Sequence, residues 1–163
     1  MAYTRQDTIN LRLRLIVDPK KFLDLAQALA FDSPLAAKLR TATSRAYYAA
    51  YGVSAQTLDS MGFPILKSGN GHSQVQAYFG NSENDELKKV GSELGSLQTN
   101  RNHADYRLDD LKAETASNVK AHVMQAKRII DTLERCCAGS ERPKIIKAMK
   151  AYDQLIKRAA RNE

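Results

Sequence analysis

Cysteine, tryptophan and long apolar runs are what this 163-residue chain has least of. Its two cysteines, Cys136 and Cys137, are adjacent. Sequence neighbours cannot staple distant segments, so no disulfide framework is available. Nor are they the spaced pairs that a structural zinc site uses, and no metal site is expected. A reducing, cytoplasmic setting is the natural one for such a chain. Tryptophan is absent, and without a glycine–aromatic run the stacking platforms that grip single-stranded nucleic acid are not evident. No apolar run is long enough to span a bilayer. The first thirty residues lack the charged start, apolar stretch and small-residue cleavage site of a secretory leader. These absences point away from the membrane.

What is present is positive charge. Lys and Arg number 25 against 18 Asp and Glu, a net of +7. That excess favours acidic partners, above all nucleic acid, although a moderate net charge also keeps a small protein soluble. The length fits one domain, residues 1–163. A chain of this size buries enough surface to hold a core without metal or disulfide.

Helical spacing dominates. Residues 9–17 are ambiguous, because Ile9, Leu11, Leu13 and Leu15 alternate as in a strand while Ile9, Leu13 and Ile16 share a helix face. Asp18-Pro19 reads as a helix start, with Phe22, Leu25, Ala26 and Leu29 on one face. Ser33-Pro34 repeats the signal and opens the longest predicted helix, to about Met61. Its apolar positions are Leu35, Leu39, Ala42, Ala46, Ala49, Ala50 and Val53. Tyr47, Tyr48 and Tyr51 add bulk with polar tips that need partners. A connection over 62–71 leads to a short helix over 72–79. Leu87, Val90, Leu94 and Leu97 mark a helix from about Asn84 to near Asn102, on which Gly91 and Gly95 form a smooth patch for close packing. Another helix is predicted from about Asp110 to Cys136. A basic C-terminal helix over 141–161 carries the stripe Ile145, Ile146, Met149, Tyr152 and Ile156. The prediction is an all-α antiparallel bundle of about five to seven helices.

Two stretches carry unusual chemistry: Ser44-Arg-Ala-Tyr-Tyr-Ala-Ala-Tyr51 and Arg101-Asn-His-Ala-Asp-Tyr106. Charged and hydroxylated groups need partners when they approach a core. Such clusters are either structural networks or sites. The planar fork of Arg101 matches phosphate, and His103 or His72 titrates near neutrality and suits acid–base work. Equally, Arg101 and Asp105 stand at the i, i+4 spacing of a helix-end ion pair. Arg45 and Tyr48 share a face, as a site pair or as buried groups satisfied by backbone carbonyls. His72, between Gly71 and Ser73, is a site residue or a helix-start residue.

Together these stretches resemble the HEPN superfamily, small helical domains named for higher eukaryotes and prokaryotes nucleotide-binding. Ser44 to Tyr51 is similar to the family's Arg-x-Tyr-Tyr-x-x-Phe helix, Gly71-His72-Ser73 to its loop motif, and Arg101 to Tyr106 to an Arg-x-x-Ala-Asp-Tyr signature of one prokaryotic branch. The match spans about residues 34–136. The resemblance implies an antiparallel helical bundle, usually a homodimer. It implies metal-independent ribonuclease activity, with no cofactor, in a toxin–antitoxin or phage-defence system, often beside a nucleotidyltransferase antitoxin. Carried over residue by residue, it makes Arg101, His103, Asp105 and Tyr106 the catalytic candidates. Arg45, Tyr48 and His72 become the RNA- or nucleotide-binding candidates.

The chain departs from the family's Arg-x4-6-His motif. Tyr106, Arg107 and Leu108 occupy the expected histidine positions, and His103 comes only two residues after Arg101. Two residues turn a helix by about 200°, which aims His103 away from Arg101. Tyrosine is a poor base, with an ordinary pKa of about 10. The departure keeps open a non-catalytic module that binds a nucleotidyltransferase, with Tyr106 as a target of nucleotide modification. A regulator holding nucleotide phosphates between Arg45 and Arg101 is a further alternative.

Overall fold

The computed structural model describes residues 17–32, 34–65 and 70–161. Among the described residues, six α-helices carry the architecture: α1 (Lys20–Asp32), α2 (Ala36–Ser60), α3 (Gly71–Gly80), α4 (Asp85–Tyr106), α5 (Ala116–Ala138) and α6 (Arg142–Ala159). A single 3-10 turn, Leu111–Glu114, links α4 to α5. There is no strand among the described residues. The chain is an all-α bundle, as its spacing predicts. Of the ambiguous segment 9–17, residues 9–16 lie outside the described residues, and Val17 is not helical.

The relative directions of α1, α2, α4 and α5 can be read from their cross-contacts. Along α2 and the end of α4, Arg40 meets Arg107, Ser44 meets Asp105 and Tyr48 meets Arg101. One number rises as the other falls, so the pair is antiparallel. The same holds for α4 and α5, through Glu86 with Arg135 and Glu93 with Gln125. α1 lies antiparallel to α5, from Lys20 beside Glu134 to Phe31 beside Lys120.

The core is built mainly from the predicted apolar stripes, but Leu25 and Leu35, expected on them, are exposed. Leu39, Ala42, Ala46, Ala49, Ala50 and Val53 of α2 are buried, as are Leu87, Val90, Leu94 and Leu97 of α4 and Val119, Val123, Ile130 and Leu133 of α5. Each fully buried large aliphatic side chain contributes about 1.5–3 kcal/mol relative to exposure. Alanines on α2 keep that face low, so α1, α4 and α5 all approach it. Cys136 and Cys137 are buried, reduced thiols. Burial pushes both up from the ordinary thiol range, which makes them poor nucleophiles.

Three boundaries differ from expectation, each for a local reason. α4 continues past Asn102 to Tyr106 because Arg40 receives the carbonyls at its end. Residues 111–114 form the 3-10 turn rather than the start of α5, since the Asp110 side chain accepts from the Lys112 N–H and tightens the chain there. α2 begins at Ala36, after an extended Leu35. The stripe on α6 docks as far as Tyr152: Ile145 and Met149 are buried and Ile146 and Tyr152 pack against the core, whereas Ile156 is exposed. Tyr78 of α3 fastens α6 by donating to Asp153 at 3.0 Å.

Candidate functional site

α2 and α4 bring five of the seven candidate residues together. Because α4 is regular through Tyr106, Arg101 and Asp105 lie one turn apart on the face toward α2. Tyr48 lies between two guanidinium groups: its ring centroid is 5.1 Å from Arg45 and 5.0 Å from Arg101. Arg101 Nη2 also donates to the Tyr48 hydroxyl at 2.5 Å. The Tyr106 ring lies 5.4 Å from the Arg101 guanidinium, and Phe22 of α1 lies 5.4 Å from that of Arg45. Cation–π contacts of this kind orient a guanidinium without neutralising it.

Neutralisation is incomplete. Asp105 is the one carboxylate paired with either arginine among the described residues. Its Oδ2 stands 2.9 Å from Arg101 Nε, but the Nε–H is not aimed at it, so this buried nitrogen makes no hydrogen bond. The same Oδ2 accepts instead from the Ser44 hydroxyl at 3.2 Å. Arg45 Nε is also buried and unsatisfied, and among the described residues Arg45 Nη2 reaches only the Ser44 hydroxyl, at 3.4 Å. Buried donors without acceptors are uncommon and costly. Here two of them, on two cations, face one anion.

His72 joins from the start of α3. Its ring centroid is 4.3 Å from that of Tyr51 and 5.6 Å from that of Tyr47, and its Nδ1 is hydrogen-bonded to the Tyr47 hydroxyl. Burial holds Tyr47 far above the ordinary phenol range, so Tyr47 stays protonated. His72 is its sole hydrogen-bond partner among the described residues, so the phenol donates to Nδ1. The ring proton of neutral His72 therefore sits on Nε2. Burial, and then the charge of Arg101, lower the His72 pKa. At neutral pH His72 is an uncharged N–H donor, with no lone pair free to act as a base.

His103 lies outside this network. Its Nδ1 pairs with Asp110 Oδ2 at 3.0 Å, in keeping with the rotation expected from its spacing. Tyr106 is 71% exposed, and its ring rests on Arg101.

No family model matches this chain. The curated proteins and the solved structures hold no match either. The site is therefore read from its own geometry. Among the described residues, no group of His, Cys, Asp and Glu could hold a metal ion, and no helix is long and apolar enough to cross a membrane.

One residue that organises the site escapes the sequence reading. Arg40, 8% exposed, sits under the end of α4. Its Nε lies 2.8 Å from Glu114 Oε1. Nη1 donates to the carbonyls of Ala104 and Arg107 at 3.0 Å, and Nη2 to those of Leu108 and Asp110 at 3.3 and 3.1 Å. A cation at a helix C-terminus satisfies orphan carbonyls and opposes the helix dipole. The available signal was the polar ridge Arg40, Thr43, Ser44 and Tyr47 on an otherwise Ala- and Leu-lined helix.

Proposed function

We propose that this protein binds RNA phosphate at the Arg45–Arg101 pair, as a HEPN-like component of a toxin–antitoxin or phage-defence system. The observation that supports this most directly is the imbalance around Tyr48: two guanidinium groups, two buried N–H donors without acceptors, and one carboxylate. A phosphate oxygen is the acceptor that such forks match. The neutral Nε2–H of His72 adds a donor of the same polarity. The net charge of +7 adds long-range attraction for a polyanion.

Cleavage asks for more. A base must take the 2′-hydroxyl proton, an acid must protonate the leaving oxygen, and a cation must stabilise the phosphorane. Arg101 suits the cation role. In a single copy, no free imidazole lone pair stands beside it: His72 Nδ1 is taken by Tyr47, and His103, whose Nδ1 pairs with Asp110 and whose Nε2 stays free, lies outside this network. In this reading phosphate binding needs one chain, and metal-independent ribonuclease activity needs a homodimer whose second copy supplies the base.

Fluorescence anisotropy with a short single-stranded RNA tests the binding. Arg101→Ala and Arg45→Ala should each weaken it by about tenfold and flatten its salt dependence. Wild type that fails to bind, or that matches Arg101→Ala, rejects the proposal. Labelled RNA incubated with EDTA then separates a ribonuclease from a binding protein.

The exposed Tyr106 favours a second reading. Leu108 and Leu111, which follow it in the chain, are each about three-quarters exposed. A partner nucleotidyltransferase would find a phenol there that is open to nucleotide modification. Co-expression with the neighbouring gene product, followed by intact mass, is the test; absence of both complex and adduct removes this reading.

A further inference from the structure

Four cation–π contacts link Phe22, Arg45, Tyr48, Arg101 and Tyr106 in that order, with rings and guanidinium groups alternating. The series starts on α1, passes through α2 and ends on α4. Its first four members are half-buried, and Tyr106 alone is exposed. The series therefore ends at solvent, on a ring that has a cation against it and is 71% exposed. An exposed tyrosine is ordinary by itself. What sets this one apart is its mount.

Both the cation and the backbone beneath the ring are held. The Arg101 side chain is 17% exposed and is fixed through both terminal nitrogens. Nη1 donates to the Asn102 carboxamide oxygen at 3.0 Å, and Nη2 donates to the Tyr48 hydroxyl. On the backbone side, Arg40 grips the carbonyls of Ala104, Arg107 and Leu108 around Tyr106. The Arg107 N–H donates to the His103 carbonyl and closes the last turn. Only the two side-chain torsions of Tyr106 are left to order on binding, and the Arg101 contact already limits them. A cation against a ring also draws its π density inward. The open part of the ring therefore suits a flat, electron-rich partner.

We propose that Tyr106 is a base-stacking platform, which holds an unpaired base of the RNA strand whose phosphate lies at Arg45 and Arg101. The inference rests on the phosphate reading of that pair, and adds to it a choice of substrate: single-stranded over double-stranded RNA. Bases inside a duplex already stack on their neighbours, whereas a base in a single strand, loop or end can splay out onto an aromatic ring. Every base has a π-face, so such a platform tolerates sequence, and the larger purines are held more tightly than pyrimidines. One tyrosine at a helix end carries no sequence signal of this kind. Its exposure, its cation and its clamped backbone are set by contacts with α2.

The test compares two labelled strands on the full chain: a short uridine RNA carrying one fluorescent adenine analogue whose emission is quenched by stacking, and an abasic strand with the same phosphates. Wild type should bind the strand with bases about tenfold more tightly than the abasic one, and should quench the analogue. Tyr106→Phe keeps the ring and should keep both effects. Tyr106→Ala should lose the tenfold and the quenching, with its affinity for the abasic strand unchanged. If wild type binds both strands equally, the platform is overturned while the phosphate reading stands. If wild type binds neither, the phosphate reading falls and takes the platform with it. Equal losses on both strands in Tyr106→Ala would mean that the ring only supports Arg101, and would overturn the proposal. So would a Tyr106→Phe protein that behaves like Tyr106→Ala, or a Tyr106→Ala protein that behaves like wild type.

Discussion

The buried Tyr47 hydroxyl donates to His72 Nδ1, and that one bond decides where the histidine proton resides. It turns a residue that looks like a candidate base into a neutral donor. Removing the hydroxyl in Tyr47→Phe leaves the imidazole nitrogen without its donor in a half-buried site, at a cost of about 1–2 kcal/mol. Urea denaturation measures the loss. An unchanged midpoint together with an unchanged His72 tautomer in 15N spectra would show the bond to be unimportant.

Two histidines predict how stability responds to pH. His72 and His122 both have folded pKa values below the ordinary 6.5. The unfolded chain therefore takes up protons first as pH falls, and the folded state loses ground. Stability should be flat just above about pH 6.5 and decline below it, down to the folded values of the two rings. The double variant His72→Asn, His122→Asn keeps an acceptor for Tyr47 and Thr43 and should remove most of this slope. Thermal melts across this range check it, and a slope that survives in the double variant would place its origin elsewhere.

Arg40 should be the least replaceable charged residue. Arg40→Ala strands Glu114 and four backbone carbonyls at the end of α4. Breaking a buried ion pair in this way costs about 3 kcal/mol or more. Arg40→Lys should lie between, since an ammonium cannot fork to both sets of acceptors. Chemical denaturation ranks the three proteins, and equal midpoints would contradict the capping role.

Gly91 and Gly95 should separate under substitution. A methyl at Gly91 would stand 3.1 Å from the Gln76 backbone oxygen, in the tight contact between α4 and α3. At Gly95 it would meet only the Gln76 side chain, its oxygen at 3.0 Å, and that amide can shift by a few tenths of an ångström while its nitrogen keeps donating to Gln98. Gly95→Ala is expected to gain about 0.5 kcal/mol from helix propensity. Gly91→Ala should lose about 1 kcal/mol through overpacking. Thermal unfolding of both variants tests this, and equal shifts would refute the distinction. The close packing expected of both glycines therefore falls mainly on the first.

Much of the bundle was legible from spacing alone. Leu39 to Val53, Leu87 to Leu97 and Val119 to Leu133 repeat with the helix period, and every one of those stripes is buried. The grouping of Arg45, Tyr48, Arg101, Asp105 and Tyr106 was also anticipated, from motifs that sit on two facing helices. The rotation of His103 away from Arg101 followed from counting residues. Its pairing with Asp110 did not, because that contact crosses a loop whose path depends on Arg40, sixty-three residues earlier in the chain.

The amino-acid order by itself determined which residues are helical, which face of each helix is apolar, and which side chains share a turn, because these depend on a local repeat of 3.6 residues. Tertiary structure alone decided the protonation and the partners: that Tyr48 lies beside two arginines, that His72 carries its proton on Nε2, and that Arg40 closes the end of α4. Those outcomes depend on burial and on distances between segments far apart in sequence, and no local periodicity encodes either.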